Sequence, residues 1–207
     1  MEIIRSIYSL DLELREAKKG EKYHRVEGQA VPFDSRTRIF GRYYEQFSKG
    51  AFVRTLGEDD PDAALLIDHR GLAIARQSNK TVRFKEDSEG LQFDAKLDRD
   101  DPDVQALVPK LRSGNTRHMS VGFLPREWST RYEDDDTVTD VMMDVDLYEA
   151  SFVTFPAYSD TEATMRTRSM LRENGKGKGQ GDRVDSFIER MRNAENNLKV
   201  FRMSHLS

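Results

Sequence analysis

Cysteine is absent from the 207 residues. Disulfides, thiolate nucleophiles and zinc–thiolate centres are thereby excluded, and a reducing compartment is expected. No apolar run approaches the roughly 18 residues that a membrane helix needs, so no membrane association is expected. The first residues, Met1-Glu2-Ile3-Ile4-Arg5, lack a basic region followed by an apolar stretch, and no signal peptide is expected. Neither sign of charge dominates. The net charge of -4 argues against a chain that binds nucleic acid through charge alone. Several catalytic signatures are missing too: a His-Glu-x-x-His helix, a Gly-x-Ser-x-Gly elbow, a Gly-x-Gly-x-x-Gly turn and an Asp-rich calcium loop. No cofactor or metal is expected. Histidine is scarce at 4, namely His24, His69, His118 and His205, so each can be weighed individually.

What is present is a polar chain with one core's worth of apolar residues. Charged residues make up 34% and apolar residues 37%, with a mean hydropathy of -0.75. The length is about 1.4 times that of a typical domain, which suggests one domain with an appendage. Residues 1–159 hold all 6 prolines and form the expected β-rich domain. Residues 160–182 read as a flexible linker, because Glu173 to Asp182 alternates glycine with polar residues and has nothing to bury. Residues 183–207 read as an amphipathic helix and tail carrying Val184, Phe187, Ile188, Met191, Leu198 and Phe201 on one side. That helix either docks on a partner or packs back on its own domain.

Within the domain, Arg25–Phe33, Ala63–His69, Thr81–Lys85, Gly90–Leu97, Arg117–Trp128 and Thr137–Phe155 read as strands. Glu86-Asp87-Ser88-Glu89 joins a hairpin, and Glu133-Asp134-Asp135-Asp136 makes an acidic turn. Two helices are expected. Tyr44–Leu56 would place Phe47, Ala51, Phe52 and Leu56 on one side. The other opens at Asp101 and Pro102, buries Val104, Leu107, Val108 and Leu111, and stops at Gly114. Pro109 should kink or split it. The expected class is mainly β with helices (α+β): a β-barrel decorated by helices.

Strand periodicity then singles out polar residues. On 141–153, Val141, Met143, Val145 and Leu147 share a face on which Glu149 and Ser151 continue. A carboxylate there needs a cation or donors, since stranding a buried ion costs about 3–5 kcal/mol. Alternatively the strand ends or bulges near Glu149 and the carboxylate reaches water. His69 closes the apolar strand Ala63–His69, where it either meets Glu149 or caps the strand toward solvent. In His118-Met119-Ser120-Val121-Gly122-Phe123, the apolar residues face the core, and Ser120 lies beside Gly122 on an open face, accessible to a large substrate. A serine hydroxyl needs a base and a third group that orients the base. His69 as base, Ser120 as nucleophile and Glu149 as orienting carboxylate is one such set. His118, on the face of Ser120, is a competing imidazole.

These residues lie within pieces of sequence that together resemble a known family. In order they are Gly28-Gln29-Ala30-Val31-Pro32-Phe33, Glu45-Gln46-Phe47-Ser48-Lys49-Gly50-Ala51-Phe52, Leu65-Leu66-Ile67-Asp68-His69, Glu89-Gly90-Leu91-Gln92-Phe93-Asp94-Ala95, Met119-Ser120-Val121-Gly122-Phe123 and Leu147 to Tyr158. From about Gly28 to Thr161 the chain resembles the prohead maturation serine proteases of tailed bacteriophages. Those are related to the herpesvirus assemblins, so the resemblance implies an assemblin-like closed barrel. It implies His69 and Ser120 as base and nucleophile, with Glu149 as third member and His118 as the alternative. It also implies a serine endopeptidase inside the immature procapsid, in the host cytoplasm. Its substrates would be the scaffold or delta segment of the major capsid protein, and itself. A homo-oligomer is compatible with this, and the basic C-terminal helix would serve as a targeting appendage.

Three rivals remain at this point. A non-catalytic head or scaffold protein could retain the protease fold, another serine hydrolase such as an esterase could use the same residues, and a metal hydrolase could draw on His69 and His118.

Overall fold

The computed structural model describes residues 4–9, 11–40, 42–58 and 61–154. Contacts divide the chain into Met1–Tyr158 and Ser159–Ser207. The expected linker and C-terminal helix lie outside the described residues.

The described part is mainly β. One sheet is ordered β1-β10-β11-β5-β4, with β6 also paired to β11 and β7 to β6. Its strands are β1 (Ile4–Ser9), β4 (Thr37–Phe40), β5 (Tyr43–Phe47), β6 (Ala64–Ile67), β7 (Arg70–Arg76), β10 (His118–Tyr132) and β11 (Val138–Val153). The second sheet is β2-β3-β9-β8, built from β2 (Asp11–Arg15), β3 (Tyr23–Pro32), β8 (Val82–Glu86) and β9 (Gly90–Asp98). Among the described residues the pairings trace two sheets with free edges, and no closed ladder is detected. Between the sheets, Phe93 meets Phe152 edge-on at 5.9 Å. Phe47 stacks on Phe52 at 5.1 Å and meets Phe123 edge-on at 4.9 Å, separations at which aromatic pairs are favourable.

All six expected strands form, with shifts at their ends. Helix α2 (Pro102–Arg112) buries Val104, Leu107, Val108 and Leu111 as the spacing predicts. Asp101 caps it by accepting from Asp103 N–H at 2.8 Å, and Gly114 follows with φ +72°. Pro109 does not split it. The residue is exposed, so the carbonyl of Gln105, which loses its helical donor, lies on the water side.

The expected Tyr44–Leu56 helix is wrong for most of its length. Tyr43–Phe47 is a strand, and only Val53–Leu56 (α1) is helical. The aromatic-rich Tyr-Tyr-Glu-Gln-Phe segment finds partners on both sides, parallel β11 and antiparallel β4, and this pairing outweighs an i, i+4 pattern. Gly50, at φ +98°, then turns the chain. Phe47, Ala51 and Phe52 are buried all the same. Strands β1, β2, β4 and β7 were not anticipated.

One buried acid lies on this frame. Asp140 is 0% exposed, accepts from the Tyr43 hydroxyl and accepts from Thr130 Oγ1 at 2.5 Å. Burial raises its pKa despite these two donors. The protonated form is therefore the one the fold favours. That contribution is complete below the ordinary value of 3.8 and is lost as pH rises through the folded value. Asp140→Asn should flatten the fall of Tm as pH rises from 3.8 through the raised folded value. Thermal melts from acid to neutral pH check this, and an unchanged slope would rule it out.

Candidate active site

Strand β10 is an interior strand, buried on both faces from Met119 to Leu124. Ser120 pairs with Ile7 of β1 on one side and with Ser151 of β11 on the other. Two residues along, Gly122 pairs with Glu149. Ser120, Gly122, Glu149 and Ser151 thus share one face, since directly paired residues point the same way and alternate residues repeat.

Glu149 reaches that face through a bulge. Phe123 pairs with Leu147 and Gly122 with Glu149, so Tyr148 is the extra residue in β11. The sequence reading put Glu149 on the face of Val145 and Leu147, and this is corrected. With the bulge, the carboxylate turns to the opposite face, the one that carries Ser120. A regular strand would have aimed it among Met119, Val121 and Phe123. Further shifts near Pro125, Glu127 and Trp128 change the pattern again, so Met142 rather than Val141 is buried upstream.

His69 is not a strand residue, as its apolar run suggested. Strand β6 runs parallel to β11, with Ile67 opposite Phe152, and a two-residue turn, Asp68-His69, leads into β7. Both turn residues have positive φ, 48° and 59°, as tight hairpin turns require. Asp and His are among the side chains that tolerate this region. The turn is tied to β11 by three bonds. Asp68 N–H donates to Phe152 O at 2.9 Å, Thr154 N–H donates to Asp68 Oδ1 at 3.2 Å, and His69 N–H donates to Ser151 Oγ at 3.3 Å.

The imidazole then lies over β11. His69 Nδ1 is 2.6 Å from Glu149 Oε1, and the other carboxylate oxygen accepts from Ser151 Oγ at 2.6 Å. Glu149 is 7% exposed, so the expected buried carboxylate has its donors. Ser120 is 0% exposed, which corrects its placement on an open face. Among the described residues, neither Ser120 Oγ nor His69 Nε2 has a hydrogen-bond partner, although both are buried. Buried polar atoms are usually paired, so these two stand out within the described site.

A family comparison bears on this arrangement. Residues 10–175 match the model described as caudovirus prohead serine protease. The chain belongs to the caudovirus prohead serine protease family. Its fold is also similar to that of the bacteriophage T4 capsid assembly protease, with a TM-score of 0.51 and 10% identity over 75% of this chain and 98% of that one. No curated protein matches it. The chain is therefore a phage capsid-maturation protease in the general sense of its family.

In this prohead protease, His118 is half-buried at the start of β10, on the Ser120 face, and its Nδ1 is buried with no partner among the described residues. The Nδ1 contact of His69 is made by Glu149 and not by His118. No described helix is long and apolar enough to cross a membrane. Among the described residues no cluster of three His, Asp or Glu side chains could hold a metal.

Gly122, named in the sequence only as the neighbour of Ser120, gives Glu149 its room. A Cβ there would stand 2.4 Å from Glu149 Oε1 and 2.8 Å from its Cγ, so the carboxylate occupies the space that a side chain would fill. The only sequence hint is a glycine interrupting a strand, which often marks a close approach. Gly122→Ala should push the carboxylate off His69 and lower turnover about 100-fold, the usual loss for an ångström of misplacement. Peptide hydrolysis by the folded variant measures this, and an unimpaired rate would contradict it.

Proposed function

We propose that the protein is a serine endopeptidase in which Ser120 is the nucleophile, His69 the general base and Glu149 the orienting carboxylate. One observation carries the reading. Glu149, which shares the sheet face of Ser120, engages Nδ1 of His69 at 2.6 Å, while among the described residues the buried Nε2 and Ser120 hydroxyl have no partner.

The chemistry follows from that arrangement. With Nδ1–H donating to the carboxylate, the lone pair of the imidazole resides on Nε2. There it takes the Ser120 proton as Oγ attacks a peptide carbonyl. Glu149 stabilises the imidazolium that forms. The proton then passes to the leaving amine, giving an acyl-enzyme and a free amino terminus. Water, deprotonated by His69, releases the acid.

The substrate class comes from the family and from the T4 capsid assembly protease. We assign cleavage of the scaffold or delta segment of the major capsid protein inside the immature procapsid, and cleavage of the protease itself. Division into a protease domain, a linker (160–182) and a basic helix (183–207) is part of this reading. The helix would present Phe187, Ile188, Met191 and Leu198 to scaffold helices. Kinship with the herpesvirus assemblins belongs here as well, supported by the ordered sequence pieces and the mainly β scaffold.

The complete burial of Ser120 favours a second reading, a non-catalytic head-assembly protein that retains the fold. A fluorophosphonate probe separates the two. The protease reading expects a covalent adduct, mapped by mass to Ser120 and lost in His69→Ala. An unlabelled but folded chain would support the assembly protein.

A further inference from the structure

The hydroxyl of Ser151 sits at the junction of the site. It donates to Glu149 Oε2 at 2.6 Å and accepts from the backbone N–H of His69 at 3.3 Å. The residue is 0% exposed, lies directly opposite Ser120 in the sheet, and is paired with Leu66 on β6. We infer that Ser151 is a positioning residue for catalysis: its one hydroxyl fixes the carboxylate that orients His69 and also the turn from which His69 projects. The inference rests on the triad reading above.

The geometry supports this in three ways. First, a carboxylate of which one oxygen faces the imidazole is free to rotate about its last bond unless the second oxygen is also held. Ser151 Oγ holds that second oxygen from the same strand, two residues along, where the strand period puts it on the same face. Second, His69 has φ +59°. A non-glycine residue stays in that region only when its surroundings over-determine it, and the bond from its own N–H to Ser151 Oγ is one of the three that tie the turn to β11. Third, a hydroxyl can donate one hydrogen and accept another at once. Ser151 uses both capacities inside the site. Alanine would remove both the bond to Glu149 Oε2 and the bond from the His69 N–H, in a buried place.

This differs from a merely structural serine. A buried hydroxyl that only satisfied a strand would affect stability when removed. A positioning hydroxyl affects the chemical step, and its effect depends on the carboxylate it holds. Ser151→Ala should therefore slow inactivation by a fluorophosphonate at saturating probe by about 10- to 100-fold, the range for losing one hydrogen bond to a charged group. The probe concentration at half-saturation should stay unchanged, because Ser151 does not touch the probe.

The deciding measurement is a double-mutant cycle on the full chain, read as the limiting inactivation rate in the wild type, Glu149→Gln, Ser151→Ala and the double variant. Because Ser151 acts through Glu149 and also ties the His69 turn, the double variant should be slower than Glu149→Gln alone, but by clearly less than the Ser151→Ala loss in the wild type. Full multiplication of the two losses would overturn the inference, and so would a Ser151→Ala chain that reacts at the wild-type rate. Failure of the triad reading has a different signature, namely wild-type reactivity in Glu149→Gln or an adduct at a residue other than Ser120. Melting temperatures of all four chains accompany the rates. A Ser151→Ala rate loss restored by cooling to a temperature at which that chain is fully folded would mark the role as structural and would overturn the inference.

Discussion

Ser120→Ala is expected to abolish cleavage of a capsid precursor, lowering kcat by about 10⁶-fold, the loss seen when a triad nucleophile is removed. The same variant should fold at least as stably as the wild type. Ser120 Oγ is buried and bonds to nothing among the described residues. An unsatisfied buried hydroxyl costs about 1–3 kcal/mol, and alanine removes the hydroxyl while keeping the Cβ. A gain in Tm together with complete loss of turnover would separate a reactive group from a structural one, because a serine kept for packing would lose stability when truncated. Gel-based cleavage of a scaffold-bearing capsid protein and a thermal melt of the same preparation provide both readings. Retained cleavage, of the precursor or of the protein's own chain, would remove Ser120 from the mechanism.

Glu149→Gln is the second large effect, a fall in kcat of about 10⁴-fold, as expected when an imidazole loses the carboxylate that sets its tautomer. The substitution is nearly isosteric in the space above Gly122, where no side chain competes. The amide nitrogen can face Ser151 Oγ or His69 Nδ1. In the second orientation it donates to Nδ1, which moves the imidazole hydrogen to Nε2 and leaves no lone pair for the Ser120 proton. In the first, the amide oxygen still accepts from Nδ1–H but carries no charge to stabilise the imidazolium. Either way turnover falls while the fold persists. The measurement is kcat and KM on one peptide, with KM expected to change little. A rise in KM with kcat preserved would place Glu149 in substrate binding instead.

Much of this site could be read in the sequence, and the reasons differ from residue to residue. Met119, Val121 and Phe123 alternate with Ser120 and Gly122, so the face of Ser120 follows from the two-residue period alone. The apolar face of α2 follows in the same way from helical spacing and from the caps Asp101 and Gly114. Each of these signals is local. The error at Tyr43–Phe47 shows the limit of such signals. Five residues that suit either period became a strand because β11 and β4 offered backbone partners, and no feature of the segment itself announces those partners. Ser120 was placed on an open face because an isolated strand has one, whereas β10 is interior and covered on both sides.

The side of the sheet to which Glu149 points was the hardest part to read. Periodicity put it with Val145 and Leu147, and the demand for donors was right although the face was wrong. A bulge is a mismatch of count between two strands, Leu147 to Glu149 against Phe123 to Gly122, and it exists only once the strands are paired. The sequence alone therefore determined which chemical groups are available: an imidazole, a hydroxyl and a carboxylate, each within a recognisable run, and no thiol. The tertiary structure decided that Tyr148 bulges, that Gly122 leaves room for the carboxylate, and that a positive-φ turn swings His69 over β11. Composition and period act along the chain, whereas register and turn placement depend on backbone partners far away in sequence.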